Sequence, residues 1–130
     1  MYAVVDIETT GGSARLERIT EIAVYIHDGT RIVEEYSTLV NPERNIPYFI
    51  TSLTGITNEM VEDAPSINEI IPIVLEFLCD EIIIGHNIRF DLSFFTVSLR
   101  RLSYPRLTNK YLDTLSLSKQ YIKLLRILQF

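Results

Sequence analysis

The sequence predicts a mixed-sheet α/β domain, and three observations carry that prediction. Strand-like runs fill the first third of the chain, a strong turn signal joins two of them into a hairpin, and the remainder alternates helical with strand-like spacing. Residues 2–7 form a continuous apolar run broken only by Asp6, the pattern of a strand covered on both faces. Gly11, Gly12 and Ser13 mark a loop, after which 19–27 reads as a second strand with Ile22, Val24 and Ile26 on one face. Asp28-Gly29 is the hairpin signal and 31–40 the returning strand, giving a three-strand antiparallel meander. Asn41-Pro42 ends it, and Pro47 falls in the following loop.

The stretch SLTGIT (52–57) reads as a turn-rich segment leading to a small helix at 58–61. Ser66-Ile67-Asn68-Glu69 is a capping box that opens a helix running to about Cys79, with Pro72 expected to kink it or confine its regular part to the later turns. A short β-branched strand at 81–84 precedes GHNIRFD. Helical spacing of Leu92, Phe95, Leu99 and Leu102 follows over 91–102. Residues 111–113 are expected as a last strand and 115 onward as helix.

With 130 residues, 47% of them hydrophobic and 22% charged, and no linker or repeat, a single domain with a real core is expected. Twelve Lys and Arg against 17 Asp and Glu argue against a protein that wraps duplex by charge, though not against one gripping a nucleic-acid end through metal ions. The single cysteine, Cys79, is expected as core filling in a reducing compartment. No apolar run approaches a bilayer's span and no charged start precedes an apolar segment. The expected setting is cytoplasmic, without a membrane partner.

The first strand poses the chemical question. Asp6 and Glu8 alternate onto one face amid Val4, Val5 and Ile7, where two carboxylates repel and resist desolvation. A solvated edge strand would tolerate them; a divalent cation would compensate them better, and hard oxygen donors suit Mg²⁺ or Mn²⁺. Asp91 has two readings of equal standing when taken by itself, a helix N-cap or a third acid of the site. His86 and Asn87 follow the short strand, where α/β sites gather, although His86 reads better as a hydrogen-bonded junction residue. His27 is expected to be exposed, and Asp113 to be a cap or a residue supporting the site.

Taken in order, VDIETTGG, SLTGIT, IGHNIRFDLSFF and LDTLSLSK resemble the DEDD family of 3′→5′ exonucleases, nearest the proofreading (epsilon) subunits of bacterial DNA polymerase III. The resemblance covers residues 1 to about 119 and implies a ribonuclease H-like sheet, the meander followed by parallel strands and flanked by helices. It implies that Asp6, Glu8 and Asp91 are catalytic metal ligands for Mg²⁺ or Mn²⁺, two ions in the family's intact site. It places Ile7, Thr9, Thr10, Leu53, Thr54, Gly55, Asn87 and Phe90 at the terminal nucleotide, with Ile56 beside them. The implied partners are a single-stranded or frayed 3′ end of DNA, with RNA as the other substrate class, and a DNA polymerase.

The family also requires a last motif, His or Tyr as general base and an Asp, and no Asp, Glu or His follows Asp113; Tyr121 is the remaining candidate. The chain therefore reads as a single exonuclease domain incomplete at its C-terminus. Its apolar end (Ile122, Leu125, Leu128, Phe130) is expected to be partly uncovered and to drive self-association. Two other readings compete with the enzyme. One is a catalytically impaired module that binds nucleic-acid ends or a polymerase, and the other a metal-free structural domain.

Overall fold

The computed structural model describes residues 1–128, so Phe130 of the apolar end lies outside the described residues. The elements run β1 (Tyr2–Thr9), β2 (Ile19–His27), β3 (Ile32–Leu39), α1 (Tyr48–Thr54), α2 (Asn58–Val61), α3 (Ile67–Leu78), β4 (Ile82–Gly85), α4 (Ile88–Arg101), β5 (Tyr111–Asp113) and α5 (Thr114–Ile127). They build one five-stranded sheet of order β3-β2-β1-β4-β5. The first three strands are antiparallel neighbours, and β4 and β5 join in parallel. This is the expected mixed sheet, a meander extended by parallel strands. Asp28 closes the β2–β3 hairpin, its Oδ1 accepting from the N–H groups of Thr30 and Arg31.

The core lies on one face of the sheet. Ala3, Val5 and Ile7 of β1 alternate inward beside Ile22, Val24 and Ile26 of β2. Against them pack Ile70, Ile71, Val74 and Leu78 of α3 and Ile88, Phe94, Phe95 and Leu99 of α4. A smaller cluster of Ile46, Ile50, Ile56 and Val61 holds α1 and α2 together.

Several expectations are corrected. The apolar run of β1 is covered on one face only: Val4 is 36% exposed and Asp6 is exposed, because α3 and α4 both pack on the other face and α5 buries none of its residues. SLTGIT is not simply a turn, since Ser52, Leu53 and Thr54 end α1, and Gly55 terminates it with a left-handed φ of 77° that suits glycine. Pro72 does not confine α3, which runs unbroken from its Ser66–Glu69 capping box to Leu78. Cys79 is exposed rather than core, because it is the residue that turns the chain out of α3, at a φ of 38°. Asn109 secures that turn, its Nδ2 donating to the carbonyls of Leu78 (3.2 Å), Cys79 (2.9 Å) and Glu81 (2.8 Å).

Candidate active site

β1 carries Asp6 and Glu8 on its open face, Asp6 exposed and Glu8 half-buried. Their burial was expected to be deeper; the strand's one-sided cover explains the difference. The pairing of β1 with β4 ends at Val4, opposite Ile84, so farther along β1 that edge has no strand partner. Asp91 takes the place of one: its Oδ2 accepts a hydrogen bond from the Ile7 N–H at 3.0 Å, bridging 84 residues of sequence. A helix thereby delivers a carboxylate to the backbone between the two strand-borne acids.

Asp91 is not the N-cap of α4. That position belongs to Asn87, and Asp91 lies one turn in, 4% exposed. Burial first, then the charge of Asp6, pushes its carboxyl from 3.8 up to about 7, against the pull of backbone N–H groups. Glu8 is likewise raised, by burial, by Asp6 and by Glu21, its direct neighbour across β1 and β2. The β1–β2 register shifts between Glu8 and Thr9, and such bulges commonly re-aim side chains beside sites.

The junction after β4 is tightly built. A Cβ on Gly85 would stand 3.0 Å from the Val5 carbonyl oxygen, so glycine lets β4 close on β1 there. Asn87 has a left-handed φ of 57°, and its N–H donates to Asp113 Oδ1 at 2.8 Å. The same oxygen caps α5 through the Leu115 N–H at 3.0 Å, so Asp113 is the cap expected of it. Desolvation pushes its carboxyl up, but the N–H groups of Leu115, Asn87 and Ile88 and the Ser116 hydroxyl outweigh it, and its pKa is lowered. His86 Nδ1 lies 3.0 Å from the Thr114 hydroxyl, in keeping with a junction histidine. His27 is half-buried rather than fully exposed, and its Nδ1 accepts from the Gly29 N–H in the hairpin.

The remaining expected site residues fall into three groups. Ile7, Thr9 and Thr10 are buried at the end of β1, with the Thr9 hydroxyl on the Gly11 carbonyl (2.6 Å) and the Thr10 hydroxyl on Glu17 (2.6 Å). Phe90 is half-buried against Phe94, their ring centroids 5.0 Å apart. Leu53, Thr54 and Gly55 sit on the separate α1 cluster. Leu53 is 79% exposed, and the Thr54 hydroxyl is spent on the Ile50 carbonyl. No hydrogen bond among the described residues joins this last group to the carboxylates.

Three carboxylates are the hard-oxygen donor set that Mg²⁺ and Mn²⁺ prefer. With their side chains as placed, no three acids, histidines or cysteines among the described residues converge closely enough to hold an ion. The donors still fit a cation. Asp91 is pinned, Asp6 and Glu8 raise its pKa through their charge, and Asp6 is exposed on the same face of β1 as Glu8. Sequence reasoning did not find Glu17, whose role here is to anchor the Thr10 hydroxyl. An acid seven residues along an irregular loop gives no periodic signal.

The sequence profile of the Exonuclease family, RNase T, matches residues 3–128. Among curated relatives, the PolC-type DNA polymerase III of Thermotoga maritima is 40% identical over 123 residues, covering 95% of this chain and 9% of the polymerase. That of Clostridium perfringens is 43% identical over 119 residues, 91% of this chain and 8% of the polymerase. The chain thus spans less than a tenth of the length of the curated relatives it matches. Among solved structures, exonuclease X in complex with 5′-overhanging duplex DNA superposes with a TM-score of 0.74 and 28% identity, over 93% of this chain and 64% of that one. A metal-free E. coli exonuclease I–single-stranded DNA complex matches with a TM-score of 0.81 at 18% identity, over 90% of this chain and 28% of that one; this is a likeness of the ribonuclease H-like fold alone. Matched along nearly its whole length by the family profile, the chain belongs to the Exonuclease (RNase T) family, as a DEDD-type 3′→5′ exonuclease domain.

Proposed function

We propose that this chain acts as a divalent-metal-dependent 3′→5′ exonuclease on single-stranded or frayed DNA ends, in the service of a DNA polymerase. Asp6, Glu8 and Asp91 would hold Mg²⁺ or Mn²⁺. The observation that carries the reading is the Asp91–Ile7 hydrogen bond, which fixes one carboxylate where the other two already crowd it with negative charge. A bound ion supplies charge neutralisation and a polarised phosphodiester there. The chain's own residues do the rest. Asp91 stays anchored to β1, while the raised pKa of Glu8 and Asp91 marks where a cation's charge is most needed. Leu53 and Phe90 offer apolar and aromatic surface for an unpaired terminal base, which a duplex would not release. Ile7, Thr9, Thr10, Thr54, Gly55 and Asn87 complete the proposed contacts with the terminal nucleotide.

A DNA polymerase is the proposed partner because the curated relatives are PolC-type polymerases. A second proposed contact is another copy of the chain, through the exposed Leu117, Ile122, Leu124 and Ile127 of α5 and Leu128 just beyond it. No helix among the described residues is long and apolar enough to cross a membrane.

A second reading, an end-binding or polymerase-binding module without turnover, is favoured by one specific observation: with the side chains as placed, no three acids, histidines or cysteines among the described residues converge closely enough to hold an ion. The deciding experiment is degradation of a 5′-labelled single strand with Mn²⁺, with EDTA, and with Asp6→Ala. A metal-dependent ladder lost in the variant supports the enzyme. An intact strand, bound by a folded chain that Mn²⁺ stabilises, supports the module.

A further inference from the structure

On the helix-covered side of the sheet, the start of β2, the 40–44 turn, the first turn of α3 and the last turn of α4 enclose a cavity of about 520 Å³. Its polar rim consists of Arg18, Arg44 and Arg101, with Asn41, Asn68 and Ser98, and one carboxylate, Glu43. The three arginines are far apart in sequence, yet one turn gathers them through three successive carbonyls. Arg101 Nη2 donates to the Arg15 carbonyl at 2.8 Å, Arg44 Nη1 to that of Leu16, and Arg18 Nη1 to that of Glu17 at 3.2 Å. Each guanidinium has five N–H donors, so most remain free after this anchoring.

The charges are unevenly matched. Arg44 pairs with Glu17 at 3.3 Å, and Glu17 also accepts from the Thr10 hydroxyl. Among the described residues, neither Arg18 nor Arg101 forms an ion pair. They act on each other instead: the Arg101 guanidinium lies below its ordinary pKa, first through desolvation and then through the charge of Arg18. Backbone carbonyls have thus assembled like charges beside a cavity, in a chain whose net charge is −5, and left two of them without an acid. Planar forks held in fixed orientation match a phosphate better than they match water, and a cavity of this size admits a nucleotide-sized group.

We propose that this cavity is a phosphate-binding site, separate from the Asp6–Glu8–Asp91 cleft, in which Arg18 and Arg101 grip the phosphate and Asn68 and Ser98 complete its hydrogen bonds. The phosphate belongs either to a nucleic-acid strand or to a free nucleotide. The proposal stands whether or not the carboxylates cleave, and its test is run in EDTA so that cleavage plays no part.

Binding of an oligothymidylate of about twelve nucleotides and of thymidine monophosphate is measured for the wild-type chain, Arg18→Gln, Arg101→Gln and Arg101→Lys, each checked for a wild-type melting temperature. The expected result is a loss of about tenfold in affinity for each Gln variant, with partial recovery in Arg101→Lys. If the source is a strand, the oligonucleotide is the ligand that weakens, and its salt slope falls by about 0.7 per lost contact. If the source is a free nucleotide, the monophosphate raises the melting temperature of the wild type and not of the Gln variants. Wild-type affinity and salt slope in folded Arg18→Gln and Arg101→Gln would overturn the proposal. So would an oligoglutamate peptide that loses binding in these variants while the phosphate ligands do not, since the cavity would then serve an acidic protein segment.

Discussion

Replacing Asp91 by Asn removes a charge from the cleft while leaving an acceptor for the Ile7 N–H, so it isolates the electrostatic burden of the site. A rise from 3.8 to about 7 means that the folded chain holds a proton the unfolded chain has already released. Stability is therefore fully present below about pH 4 and is lost as pH rises toward 7, the sign opposite to that of a salt-bridged carboxylate. The full shift corresponds to about 4 kcal/mol. Solvent reaches the cleft from the Asp6 side, and screening reduces the figure to about 2 kcal/mol. For a domain of this size that is about 8 °C in melting temperature. In EDTA near pH 8, Asp91→Asn should melt above the wild type by about that margin, and the two should converge near pH 4. With Mn²⁺ the gap should narrow or reverse, because the wild type gains a ligand that the variant binds poorly. Scanning fluorimetry across pH reads all three. A variant that melts at or below the wild type near pH 8 in EDTA, or a gap that ignores pH, refutes the argument.

Two further outcomes follow from the fold. Asn109→Ala strips one amide from three backbone carbonyls at the end of α3 and should cost about 2 kcal/mol in urea unfolding; a loss under about 0.5 kcal/mol would mean water replaces the amide without penalty. Ile122→Lys combined with Ile127→Lys places charge on exposed positions of α5, and should abolish self-association in sedimentation while leaving the melting temperature unchanged. A wild-type chain that sediments as a monomer at high concentration counts against the proposed contact.

The parts of the molecule written locally were legible in the sequence. The Asp28-Gly29 hairpin, the Ser66–Glu69 capping box and the Asn58–Val61 helix are set by short-range chemistry, and the structure has each where the pattern puts it. Helix α1 was not legible, because Tyr48-Phe49-Ile50-Thr51 has strand-like residues. Its helix is held by Ile50 docking on Ile46, Ile56 and Val61. The cover of β1 was misread for a related reason: an apolar run shows which residues avoid water, not how many layers the rest of the chain supplies. Of the site, the acids themselves could be picked out. The bond that organises them could not, since Asp91 and Ile7 are 84 positions apart and nearby sequence makes Asp91 look like an N-cap. The arginine cluster is hidden for the same reason, its members coming from the residue just before β2, a loop and the end of α4.

The Asp91–Ile7 bond also bears on how this family's acids should be weighed when a sequence changes. At position 91 the fold itself asks for an acceptor, because a residue without one strands a buried N–H on the central strand. Asn would answer that demand as well as Asp, so an Asp there testifies partly to architecture. Asp6 and Glu8 have no comparable structural duty; they face the open side of β1 and make its electrostatics worse. A lineage released from catalysis would lose those two first and gain stability by doing so. Their joint presence is what the proposed metal-binding role of Asp6 and Glu8 would account for.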